Sequence, residues 1–185
     1  MVLLTTAGLA AGSAAQAQND FVIAVGGPRQ QHRIGSYYVN SPQNAGRSYA
    51  AAVRAFGRPT SLRPNAYQTN RCTGSWPSLG LTITFETEAP QPCSATKLAL
   101  SFWAGATIRA RLWRTDRGLR VGDSLAKLRR LYPDAQVRKT TAVETRWVLV
   151  SVPGEVAPVI YLEARVLHGR VIVLDVPPGN VNVAR

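Results

Sequence analysis

Residues 113–133 read W-R-T-D-R-G-L-R-V-G-D-S-L-A-K-L-R-R-L-Y-P, and two local structures compete for them. Gly122-Asp123-Ser124-Leu125 sets a serine in a tetrapeptide that could present it as a nucleophile at the end of a strand. The flanking residues argue otherwise. Leu125, Leu128 and Leu131 recur every three residues, which lays one apolar stripe along a helix. Lys127, Arg129 and Arg130 fall off that stripe and gather toward its C-terminal end, where cations suit the helix dipole. Pro133 stops the helix, and Asp123 or Ser124 supplies the side-chain oxygen that the first orphan amides require. The stretch predicts a capped helix.

Upstream, residues 47–59 repeat the theme. Tyr49, Ala52, Val53 and Phe56 fall at i, i+3, i+4 and i+7, with Ser48 as the expected N-cap, Gly57 as the stop and Pro59 beyond. Strand patterns follow each helix. In residues 79–86 Leu81, Ile83 and Phe85 share one face of an alternating segment. Residues 97–103 and 107–113 read as a hairpin around Ala104-Gly105-Ala106. Residues 147–152 form a further strand, and 159–167 with 170–176 a second hairpin turning at His168-Gly169. Residues 21–25 and 34–39 add short strands near the N-terminus.

This order predicts an α+β fold of two tandem modules, each a helix packed on an antiparallel sheet, with boundaries at 18–112 and 113–185. Residues 1–17 form a weakly apolar run closing on an A-x-A site, the pattern of a signal peptide cleaved after Ala17. No later segment is apolar for the length of a membrane span. Cys72 and Cys93 are the two cysteines, and export into an oxidising compartment predicts a disulfide between them. With only His32 and His168 beside them, and neither C-x-x-C nor H-x-x-x-H spacing, no metal site is expected, and no cofactor.

The 185 residues are 45% hydrophobic, enough for a packed core, and carry a net charge of +12. The surplus is arginine, spread from Arg29 to Arg185 rather than clustered, which argues against a nucleic-acid face. For an exported chain the polyanions within reach are cell-wall polymers and anionic head groups.

The second helix region resembles the small lipoprotein of the outer-membrane β-barrel assembly machinery and the tandem-repeat β-lactamase inhibitory proteins. Residues 119–124 (L-R-V-G-D-S) stand where those modules open their helix, 128–133 (L-R-R-L-Y-P) where they close it, and 160–176 where their terminal hairpin lies. Asp123 replaces the usual Met, Tyr132 the closing Gly, and one disulfide is available instead of one per repeat. The chain also resembles exported proteins of high-GC bacteria with a G-L-R-V-G-D-S helix start. What the first resemblance implies is a fold, a helix followed by an antiparallel sheet, with inhibition of a secreted or envelope enzyme an analogy at the level of the fold; the second implies no activity. Gly122-Asp123-Ser124-Leu125 is also similar to the nucleophile motif of the GDSL esterases and lipases, which would make Ser124 the nucleophile and His168 the base. The D-x-x-H of that family is missing, since Arg165 stands three before His168, and about 60 residues after Ser124 are too few for its parallel α/β sheet.

One surface stands out. On an extended hairpin Arg109, Arg111 and Trp113 share a side, and Trp103 joins them across the turn, a face able to stack on and ion-pair with a ligand. Tyr37 and Tyr38 are adjacent, so one points outward; Tyr38 is taken as the contact residue. The expected function is an exported, non-catalytic binding protein, an inhibitor of or accessory to a secreted or envelope protein, with a protein or cell-envelope polymer as partner and no nucleic acid. The alternatives are a GDSL-type esterase acting through Ser124, and envelope association through the basic surface alone.

Overall fold

The computed structural model describes residues 21–25, 32–39, 46–65, 68–141, 143–153 and 159–178. The expected signal peptide and its cleavage site lie outside the described residues. In chain order the elements are β1 (Val22–Ala24), β2 (His32–Ile34), β3 (Tyr37–Val39), α1 (Ser48–Phe56), β4 (Ser61–Pro64), β5 (Arg71–Trp76), β6 (Leu81–Glu86), β7 (Phe102–Ile108), β8 (Arg114–Thr115), α2 (Leu125–Leu131), β9 (Gln136–Thr140), β10 (Glu144–Val152), β11 (Val159–Leu167) and β12 (Arg170–Val176).

The architecture is mainly β, which corrects the expected pair of helix-on-sheet modules. Eight strands form one antiparallel sheet in the order β4-β5-β6-β7-β12-β11-β10-β9. The seam is β7 against β12, with Ile108 opposite Leu174, Thr107 opposite Asp175 and Ala106 opposite Val176. Strands following each helix therefore share one sheet and one core. Helices of nine and seven residues are too short to cover a sheet each. The remaining cover comes from a second sheet, β3-β2-β1-β8, in which β1 runs parallel to β8.

One face of the large sheet supplies the core. Leu81, Ile108, Leu174, Ala164 and Trp147 follow one another across β6, β7, β12, β11 and β10, and all are buried. Against it α1 brings Tyr49 edge-on to Phe85, while Phe56 meets Trp76 and Trp113. The small sheet adds Tyr37, whose ring lies 5.7 Å from that of Trp103, and its His32 stacks on Tyr161 of β11 at 4.6 Å. Burial holds the His32 imidazole below its ordinary pKa. Leu128 of α2 is fully buried, and Arg129 lies over the Trp147 ring at 5.1 Å.

Three local expectations need correction. Ala104-Gly105-Ala106 is no turn: β7 runs straight through it, with Ala104 as the extra residue of a bulge opposite Thr84 and Phe85. Gly105 has φ 128°, a backbone conformation that residues with a Cβ rarely adopt, so the strand requires glycine there. Residues 97–99 form a 3-10 turn that buries Leu98 instead of a strand. Ser48 is the first residue of α1 and Arg47 its N-cap, because the cap is supplied from a distance: Ser48 N–H donates to the Ser101 carbonyl at 2.9 Å, and Tyr49 N–H to Ser101 Oγ at 3.2 Å.

Cys72 and Cys93 are joined by a disulfide. No helix among the described residues is long and apolar enough to cross a membrane.

Candidate functional site: a threonine groove on the open sheet face

The large sheet's second face is polar, and strand register sets its layout. Ser75, Thr82, Thr107 and Asp175 stand in one row across β5, β6, β7 and β12. Two residues along, Arg63, Thr73, Thr84 and Gly105 form the next row, and Arg71, Glu86 and Phe102 the one after. The alternation that sends Leu81, Ile83 and Phe85 into the core sends Thr82 and Thr84 out.

These rows floor a groove of about 340 Å³ over Thr73, Thr84, Gly105, Thr107 and Asp175, with Arg109 and Pro177-Pro178 at its edges. Thr73 and Thr84 share a hydrogen bond at 3.3 Å, and Thr107 donates to Asp175 Oδ1 at 2.8 Å. Arg165 Nε donates to Asp175 Oδ2 at 2.9 Å, so both carboxylate oxygens are engaged. Glu86 is likewise held by Arg71, through Nε at 2.8 Å. The acidic groups of this face are thus neutralised in place, and a hydroxyl lattice edged by cations remains.

The residues singled out from sequence part company. Trp113 is 1% exposed, with Nε1 donating to the Leu79 carbonyl at 2.7 Å, and Trp103 is 7% exposed beside Tyr37. Both are core side chains: Trp103 stands opposite Phe85 on the core face of β7, and Trp113 turns inward because β7 ends at Ile108 and residues 109–113 do not continue a hairpin face. Arg109 and Arg111 are exposed, and only Arg109 reaches the groove. Tyr38 is 45% exposed on β3, and its neighbour Tyr37 is buried. The five do not form one surface. The threonine face was legible in the Thr82 and Thr84 alternation, but its partners Thr73, Thr107 and Asp175 come from strands whose pairing has no local signature.

Ser124 occupies an N-cap. Its Oγ accepts from the Lys127 amide at 3.2 Å, while Asp123 Oδ2 accepts from the Arg120 amide at 2.8 Å and pairs with Lys127 Nζ at 2.8 Å. Partial burial alone would raise the Asp123 pKa, but the hydrogen bonds from Lys127 and the Arg120 amide, with the Lys127 and Arg111 charges, hold it below the usual carboxylate range. The tetrapeptide is stitched to β12 and the turn before it: Gly122 N–H donates to the Val171 carbonyl, and Leu125 N–H to the Gly169 carbonyl, each at 2.7 Å. His168 lies exposed in the β11–β12 turn with φ 48°. No group of three or more His, Cys, Asp or Glu side chains suited to a metal ion occurs among the described residues.

No family model matches the chain, and no curated protein matches it. Among solved structures the chain is similar to an extracellular protein containing an SCP domain from Bacillus anthracis str. Ames, at 12% identity and a TM-score of 0.40. The match covers 83% of this chain and 49% of that one, so the chain spans about half that protein's length.

Proposed function

We propose that this is an exported, non-catalytic binding protein, accessory to or inhibitory toward a secreted or envelope component, and that it engages its partner through the threonine groove. The observation that carries this reading is the groove itself. A sheet face whose carboxylates are neutralised in place, and whose hydroxyls line a depression of about 340 Å³, has polar groups set for an outside ligand. The Cys72–Cys93 disulfide supports an oxidising compartment.

Filling the groove tests it. Thr84→Trp places a large ring over the floor of an open face, with Arg130→Glu on the exposed side of α2 as a control. The pure protein is incubated with the extracytoplasmic fraction of a producing cell, and retained protein or polymer is quantified. Thr84→Trp is expected to lose retention while keeping the wild-type melting temperature, and Arg130→Glu to keep both. Equal retention by wild type and Thr84→Trp contradicts the reading.

A further inference from the structure

We infer that the groove binds an acidic saccharide chain, whose rings stack on Phe102, whose hydroxyls bond to the threonine rows and whose carboxylates meet Arg63 and Arg109. This rests on reading the threonine face as the binding surface, and it names the ligand class.

Three observations converge on that chemistry. The first is an aromatic platform outside the core: Phe102 is 44% exposed and belongs, by register with Glu86 and Arg71, to the same face as the threonines. An exposed ring beside a hydroxyl array suits a ligand with apolar C–H faces and polar edges, which describes a pyranose. An extended peptide would instead seek an unpaired strand edge, and β5, β6 and β7 are paired on both sides.

The second is the hydroxyl lattice. Thr107 gives its proton to Asp175, and Thr73 and Thr84 share one of theirs, so the lattice offers sugar hydroxyls lone pairs on all three oxygens and one uncommitted donor, from Thr73 or Thr84.

The third is charge. Asp175 and Glu86 are occupied by Arg165 and Arg71, whereas neither Arg63 nor Arg109 has an ion-pair partner among the described residues. They flank the threonine rows on β4 and just past the end of β7, three strand spacings apart across the sheet and four residues apart along it, which sets their backbones roughly 19 Å apart. Two open guanidiniums at that separation, on a chain of net charge +12, fit a polymer carrying repeated carboxylates.

The test uses the full chain and three soluble polymers, read by isothermal titration calorimetry at moderate salt. Polygalacturonate offers rings, hydroxyls and carboxylates; its methyl-esterified form lacks the charge; polyaspartate has the charge without the rings. Polygalacturonate is expected to bind at least about tenfold more tightly than either control. Phe102→Ala, at an exposed position, is expected to weaken that binding about tenfold, and Arg63→Gln with Arg109→Gln to erase the preference over the ester. Equal affinity for polyaspartate, or unchanged affinity in Phe102→Ala, overturns the inference in favour of diffuse charge attraction. If no polymer binds while Thr84→Trp still abolishes retention of extracytoplasmic material, the saccharide assignment falls and the groove reading stands. If Thr84→Trp retains that material as wild type does, the groove reading falls and the saccharide assignment with it.

Discussion

Thr107 donates a 2.8 Å hydrogen bond to Asp175 across the β7–β12 seam, between residues 68 apart in sequence. Arg165, on β11, holds the other carboxylate oxygen at 2.9 Å. Three strands are thus tied on the open face at the point where the two strand runs join. Asp175→Ala leaves Arg165 without its partner and is expected to cost about 2 kcal/mol, against about 1 kcal/mol for Thr107→Val. Urea denaturation of the single and double variants checks this, with a coupling between the sites of about 0.5 kcal/mol or more. Additive losses would show that the bond does not tie the seam.

The Asp123–Ser124 pair makes a prediction about the helix start. Ser124→Ala removes the oxygen that accepts from the Lys127 amide and is expected to cost about 1 kcal/mol. Asp123 has a folded-state pKa below its unfolded value, so its contribution is present above the unfolded pKa and fades as pH falls through the folded one. Asp123→Asn should therefore destabilise the protein at neutral pH and flatten its stability profile in the acid range below the ordinary carboxylate pKa. A variant profile parallel to wild type there would contradict the assignment.

Two buried tryptophans should respond differently to the same change. Trp113 donates to the Leu79 carbonyl, whereas Trp103 Nε1 is buried with no hydrogen-bond partner among the described residues. Replacing each by Phe removes similar volume, but only Trp113→Phe strands an acceptor. It should cost at least about 1 kcal/mol more than Trp103→Phe in thermal or denaturant unfolding. Equal costs would mean the Trp113 bond contributes nothing net.

Reduction of Cys72–Cys93, which spans a sequence separation of 21, should lower stability by about 3 kcal/mol on the chain-entropy model. Because Cys72 is buried on β5, paired Ala replacement should lower the melting temperature without abolishing the fold. Unfolding at room temperature on reduction would give the bridge a larger role.

The parts legible in sequence were those with local causes. The β11–β12 hairpin announces itself through His168-Gly169, both at positive φ. The stripe of α2 and its serine cap follow from spacing within one helical turn. The errors share a different origin. Ser101 caps α1 from more than fifty residues away, Ala104 bulges where β7 pairs with β6, and β7 pairs with β12. None of these contacts leaves a mark in the segment it shapes. The Arg109–Arg111–Trp113 face rested on a strand continuing past Ile108, where instead the chain turns and buries the Trp113 ring edge-on against Phe21. The opposed Thr82 and Thr84 were visible, yet the groove required knowing which strands lie beside them.

The most direct test of the groove is site-specific photo-crosslinking. A photoreactive residue at Thr84 and, separately, at the exposed Arg130 is irradiated in the extracytoplasmic fraction of a producing cell. Adducts forming from position 84 and not from position 130, and suppressed by excess unlabelled wild-type protein, are the predicted result. Equal adducts from both positions, or none from position 84, would contradict it.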